Sequence, residues 1–246
     1  ADWIPRNGHV ENLRMVKDRE EIRAIRKAVD IAQRAFAVAR CGLRGAETER
    51  AVAHGLENQI RLFGGRGCSF PPIVACGPRA ALPHASPSSV VMQSHGLLLI
   101  DWGADEPGGY KSDLTRVLVT GKISPKLERV YRLVLKAQQR AIDSIRPGVH
   151  CSAVDRVARK VIDRGGFGKF FGHGLGHGIG LDIHEGPRLS GGCDQPLKAG
   201  MVVTVEPGIY LPGVGGVRIE DDILVTRDGH EVLSNVPKAW DDSHVT

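Results

Sequence analysis

Two carboxylate pairs, each set symmetrically about a turn-forming centre inside apolar sequence, constrain this chain more than any other feature. Asp101 and Asp113 flank Pro107-Gly108-Gly109 in LLLIDWGADEPGGYKSDLTRVLV, and Glu206 and Glu220 flank Gly213 in MVVTVEPGIYLPGVGGVRIEDDILV. Pro and Gly between β-branched runs predict a hairpin or a longer antiparallel excursion. Residues equidistant from its centre face each other on one side of the sheet, with Cβ atoms about 5 Å apart. Like charges that close repel unless a cation or a shared proton lies between them. Two such pairs in one chain predict a metal cluster.

The segments around the hairpins follow one plan used twice. Ile22, Ile25, Val29, Ala32, Phe36 and Ala39 recur at three and four residues, an apolar helical stripe that begins near Asp18 and ends at Gly42. A second helix is expected from about Thr48, with Val52, Leu56 and Ile60 inward, followed by strands over 69–76 and 90–102. Ser124-Pro125 then reads as an N-cap with Pro at the first helical position. Leu127, Val130, Val134, Ala137, Ala141 and Ile145 make the next stripe. Ser152-x-x-Asp155 predicts a capping box for a fourth helix, which runs to Gly165-Gly166. The expected fold is α+β, two pseudo-symmetric α-β halves with antiparallel sheet around one site.

Between the fourth helix and the second hairpin lies FGHGLGHGIGLDIHE, with His173, His177 and His184. Its alternating glycines let the backbone approach a site closely. No frame supplies G-x-G-x-x-G, no second His completes H-E-x-x-H, and the chain has no G-x-S-x-G elbow. A dinucleotide fold, a helical zinc site and a serine hydrolase are therefore disfavoured. A single His or Asp is more often a core or turn residue than a ligand. The set Asp101, Asp113, His177, Glu206 and Glu220 is different, because each acid sits in or beside an apolar strand where an unpaired charge is costly. Four carboxylates and one imidazole suit two divalent ions of the Mn, Co, Fe or Zn kind.

Composition removes other classes. The 246 residues suffice for one sizeable core, and no apolar run nears the roughly 20 residues of a membrane span. The net charge of +5 permits nucleic-acid contact, but the basic residues are spread along helices and aromatics are only 5%. No nucleic-acid or membrane partner is expected. Five scattered cysteines without a C-x-x-C pair fit a reducing, cytoplasmic setting, and the start of the chain has no signal-peptide pattern. Residues 1–16 are polar and read as a linker or the remnant of an N-terminal domain, with 17–246 as the catalytic domain.

IDWGA…SDLTR, FGHGLGHGIGLDIHE, VEPGIY and VRIEDD resemble the pita-bread dinuclear metallopeptidases, the family of methionine aminopeptidase, aminopeptidase P and prolidase. The resemblance implies that Asp101 binds one metal, that Asp113 and Glu220 bridge both, and that His177 and Glu206 complete the second. It implies that His84, in ALPHASP, contacts substrate or shuttles protons, and that His173 and His184 line the substrate site. Arg218 resembles an arginine paired with a ligating carboxylate, and Tyr210 belongs beside it. The expected chemistry is hydrolysis of an N-terminal Xaa-Pro bond by a hydroxide bridging two ions, manganese first among them. Glu206 would move the proton to the leaving nitrogen. The implied partner is a peptide with proline second, with a homodimer as one expected assembly. Methionine aminopeptidase is the alternative, and a non-catalytic peptide-binding relative the second alternative.

Overall fold

The computed structural model describes residues 8–43, 48–92 and 95–245. Residues 1–7 of the expected linker and 93–94 of an expected strand lie outside these. The elements are α1 (His9–Arg14), α2 (Arg19–Gly42), α3 (Glu49–Leu62), β1 (Gly67–Cys68), β2 (Ile73–Cys76), β3 (Leu97–Trp102), β4 (Ala104–Asp105) and β5 (Leu114–Val119). There follow α4 (Pro125–Asp143), α5 (Cys151–Arg164), β6 (Gly176–Gly178), β7 (Glu185–Leu189), β8 (Val202–Val205), β9 (Gly208–Leu211), β10 (Gly215–Arg218), β11 (Asp221–Val225) and β12 (His230–Val232). No described helix is long and apolar enough to cross a membrane.

The helix starts follow local chemistry. Asp18 caps α2 by accepting from the Glu20 and Glu21 amides, while the Glu21 side chain reaches back to the Asp18 amide, a full capping box. Thr48 caps α3 and Ser124 caps α4, with Pro125 inside the first turn. The box expected at Ser152–Asp155 is absent. His150 is the N-cap residue of α5, the Ser152 amide donates to the Cys193 carbonyl, and Asp155 is taken by Arg159 and the Leu175 amide. A tertiary partner outcompetes the local one there.

The paired strands among the described residues are all antiparallel: β1-β4 and β2-β3-β5 in the first half, and β12-β11-β8-β6-β7 with the β9-β10 hairpin in the second. The expected strands at 69–76 and 90–102 shorten to β2 and β3, flanking turn and loop sequence. β3 and β5 are buried on both faces, which is why LLLI reads as a continuous apolar run and LTRVLV is apolar except for Thr115 and Arg116. Leu98, Ile100 and Trp102 pack under α2 and α3, where Trp102 stacks on Phe36 and its indole N–H donates to the Ala32 carbonyl. Leu97, Leu99 and Val117 point the other way, into the core shared with α4, α5 and the second-half strands. Asp101, Asp113 and Thr115 share the parity of this second face, so the period of two alone aims them at the other half.

Residues His9–Arg14 are helical, Met15 is buried, and Arg14 reaches both Glu185 and Asp182. Lys17 is buried against Glu185 at 3.2 Å. Glu185 at the start of β7, with Asp182 just before it, thus fastens this segment to the second half.

Candidate metal centre and substrate cavity

The two hairpins deliver their acids differently. In the second, the register pairs Val205 with Asp221 and Gly208 with Arg218, so Glu206 and Glu220 lie opposite each other about Gly213, whose φ of 74° suits glycine. In the first, Asp101 pairs with Thr115, not Asp113, because the turn is centred on Gly108, one residue beyond the expected midpoint. Asp101 and Asp113 become diagonal neighbours on one face, a spacing of about 7–8 Å in a regular pair. At Glu220 the chain leaves its hairpin partner: its amide donates to the Thr115 carbonyl at 3.2 Å, bridging the two halves at the ligand positions.

Ligand atoms of Asp113, His177 and Glu220 lie within 4.8 Å of one another. His177 Nε2 is 3.6 Å from Asp113 Oδ2 and 3.4 Å from Glu206 Oε1. Its Nδ1 lies 3.0 Å from the Gly178 carbonyl, which fixes Nδ1 as the donor and leaves the Nε2 lone pair facing the acids. Burial holds the ring neutral, with a pKa lowered to about 4. Burial first, then neighbouring negative charge, pushes Asp113 and Glu220 well above the ordinary carboxylate range; Glu206 is raised to about 8, chiefly by burial. Asp101 Oδ1, Asp113 Oδ1 and Glu220 Oε1 are buried with no hydrogen-bond partner. Orphaned acceptors, mutual repulsion and one free imidazole lone pair are what a cation would satisfy, and the oxygen-rich donor set suits divalent ions.

Arg218 organises the opposite wall. It donates to Asp101 Oδ2, to Thr115 Oγ1 at 3.1 Å and to the Tyr210 hydroxyl at 2.8 Å. Thr115 passes the contact on, donating to Glu220 Oε2 at 2.6 Å. The Tyr210 hydroxyl lies 2.9 Å from His173 Nε2, whose Nδ1 faces the Gly174 carbonyl at 2.7 Å. Both ring nitrogens of His173 are therefore engaged, and burial lowers its pKa to about 4. His84 and His184, by contrast, are exposed on the cavity and make no hydrogen bond among the described residues; the His184 ring packs edge-on against His177. The cavity, about 1160 Å³, is lined by Asp101, Asp113, His177 and Glu206 together with His84, His173 and His184.

Residues 23–227 match the model of metallopeptidase family M24. The chain belongs to this family. It is 41% identical over 229 residues to the Xaa-Pro dipeptidase of Pyrococcus furiosus, covering 93% of this chain and 66% of that protein. Among solved structures, X-Pro aminopeptidase from Thermotoga maritima superposes with a TM-score of 0.90 at 44% identity, over 94% of this chain and 65% of that one. An Xaa-Pro dipeptidase from Bacillus anthracis gives 0.94 at 44% identity, over 97% and 67%. The chain thus shares the pita-bread fold of these M24 peptidases and spans about two thirds of their length. Divalent metal binding is the family's chemistry.

The sequence reading missed several supports. Asp222 is fully buried and accepts the Asp113 amide at 3.0 Å, holding that ligand's backbone. Thr204 contacts both the His177 amide and Glu206. Asp222 was visible only as the last residue of the EDD run, and an acid among acids does not announce a supporting role. Arg188, opposite His177 in the register, lines the cavity without an ion-pair partner among the described residues. A lone cation just after a glycine-rich histidine segment was the available signal.

Proposed function

We propose that this chain is the catalytic portion of a metal-dependent peptidase that cleaves the bond between an N-terminal residue and a following proline. The observation that carries this reading is the convergence of Asp113, His177 and Glu220 ligand atoms within 4.8 Å, with Asp113 and His177 lining the cavity. Asp101, Asp113, His177, Glu206 and Glu220 would hold two divalent ions, manganese preferred. When bound, such ions supply Lewis-acid polarisation of the scissile carbonyl and a water that is nucleophilic near neutral pH.

The protein's own groups do the rest. Glu206, the most exposed of the four acids at 18%, opens onto the cavity and, when bound cations hold it as a carboxylate, would accept the proton from the attacking water. It then delivers that proton to the leaving nitrogen, a demanding step when that nitrogen belongs to proline. His84 and His184, with free ring nitrogens, donate to the developing oxyanion or to substrate. His173 is locked between Tyr210 and the Gly174 carbonyl, so its part is to shape and position the wall. Arg218 orients Asp101 through its hydrogen bond to Oδ2. The unpaired Arg188 suits a substrate carboxylate, which favours short peptides over long ones. Five free cysteines fit a reducing compartment, as expected for a cytoplasmic enzyme.

The test is cleavage of Xaa-Pro dipeptides, Xaa-Pro-Xaa tripeptides and Met-Ala by manganese-loaded protein, with Glu206→Gln as control. Proline-dependent turnover lost in the variant is expected. Preferential cleavage of Met-Ala would transfer the reading to methionine aminopeptidase, and stoichiometric metal without turnover would favour a binding relative.

A further inference from the structure

The loop that carries His84 is closed by a carboxylate that never touches the cavity. Glu49, the first residue of α3, is fully buried, and its two oxygens collect donors from three points of that loop. Oε1 accepts from the Cys76 amide at 2.9 Å and from the Cys76 thiol at 3.3 Å. Oε2 accepts from the Ser88 amide at 2.9 Å and its hydroxyl at 2.7 Å. Arg79 Nε lies between them, 3.1 and 3.0 Å from the two oxygens. The same Arg79 reaches on to the Ser86 carbonyl at 2.7 Å, two residues from His84. The α3 backbone adds two bonds, from the Glu49 amide to the Val90 carbonyl and from the Arg50 amide to the Ser88 carbonyl.

The far side of the loop rests on the hairpin that carries Tyr210 and Arg218. A Cβ on Gly216 would lie 2.1 Å from the Ala80 carbonyl oxygen, so backbone meets backbone there. Between these two supports stand Pro83, His84 and Ala85, all on the cavity wall. The acid saturates its acceptors with five donor groups, and hydrogen bonds hold it below its ordinary pKa despite burial. An interior carboxylate with this many partners in one short segment is a fastening, and the only cavity-facing group with free ring nitrogens on that segment is His84.

We infer that Glu49 is a positioning residue, fixing the height and direction of His84 over the metal centre through the closed Cys76–Ser88 loop. The inference rests on the role assigned to His84 above. A displacement of about 1 Å in a catalytic group can lower turnover about 100-fold. Glu49→Gln, which keeps the shape but loses the charge and one acceptor, is expected to lower kcat about 10- to 100-fold with KM little changed.

The deciding experiment is a double-mutant cycle on proline dipeptide cleavage with Glu49→Gln, His84→Ala and both together. If Glu49 acts through His84, it has less than about a two-fold effect once His84 is gone. An equal loss in both backgrounds would overturn the inference, since a general structural defect does not depend on His84. If Glu49→Gln fails to fold, Arg79→Met, which removes one partner from the exposed side, takes its place in the cycle. Hydrogen exchange supplies a readout independent of turnover. The Cys76 and Ser88 amides should exchange at least about ten-fold faster in the variant, while β3 amides stay protected. Unchanged protection would overturn the fastening itself. Loss of that protection in a protein that cleaves no proline peptide would instead refute the function and leave the fastening standing.

Discussion

Replacing Glu220 by Gln should stabilise the metal-free protein, although Glu220 is among the most buried acids of the site. Glu220 Oε1 has no donor, and burial together with the charges of Glu206 and Asp101 raises its pKa well above the ordinary range. The amide oxygen of Gln keeps the hydrogen bond from Thr115, and its NH2 turns an orphaned acceptor into a donor near the equally orphaned Asp113. An unsatisfied buried acceptor costs about 1–3 kcal/mol. The gain should therefore be about 1–3 kcal/mol, or about 2–12 °C in Tm for a chain of this size. The sign with pH follows from the raised pKa. Protonation of Glu220 favours the folded state, so the parent loses stability as pH rises above about 4.5, by up to about 1.4 kcal/mol per pH unit for this one proton. Gln carries no such proton, so the gap should widen from pH 5 to pH 8. The depressed pKa values of His173 and His177 act in both proteins and cancel in the difference. Manganese acts the other way: at 100 times its Kd it adds about 2.7 kcal/mol to the parent and much less to a variant missing one ligand, which offsets most of the variant's gain. Thermal melts in chelator and in manganese across this pH range measure both effects. A variant that melts below its parent at pH 8 in chelator would refute the reasoning.

Other substitutions probe the supports. Tyr210→Phe removes the hydroxyl between Arg218 and His173, leaving a buried and a half-buried partner short of one hydrogen bond each; a loss of about 1–3 kcal/mol by urea melts is expected. Asp221→Asn should be worse, about 3–5 kcal/mol, because Arg116 and Lys238 both lose their charge partner and Arg116 is fully buried. Asp221 itself has a pKa lowered to about 2, so its contribution is complete above the unfolded value near 3.8 and should vanish in acid melts only as pH falls through about 2. Gly216→Ala places a Cβ 2.1 Å from the Ala80 carbonyl; turnover should fall together with stability, and calorimetry showing an unchanged Tm would contradict the close packing.

Much of the site was legible because its signals are local. The acids stand out by sitting in apolar strands, the period of two puts Asp101 and Asp113 on one face, and the turn at Gly213 sets Glu206 against Glu220. Thr48 and Ser124 mark helix starts by their own side chains. The failures share a cause. Asp155 looked like half of a capping box, yet a distant amide and an arginine one turn along claimed it. The first hairpin turned one residue later than symmetry suggested, making Asp101 and Asp113 diagonal.

Residue order alone carries the helix–helix–strand–hairpin plan, the face each acid occupies and the oxygen-rich donor set, since propensity, capping and strand period act over a few residues. The folded chain was needed to show which histidines keep a free nitrogen, that Arg218 links Asp101 to Tyr210, that Asp222 holds the Asp113 backbone and that Glu49 closes the His84 loop. Those choices depend on which groups meet across the fold and are desolvated there together, and residue order does not encode that meeting locally.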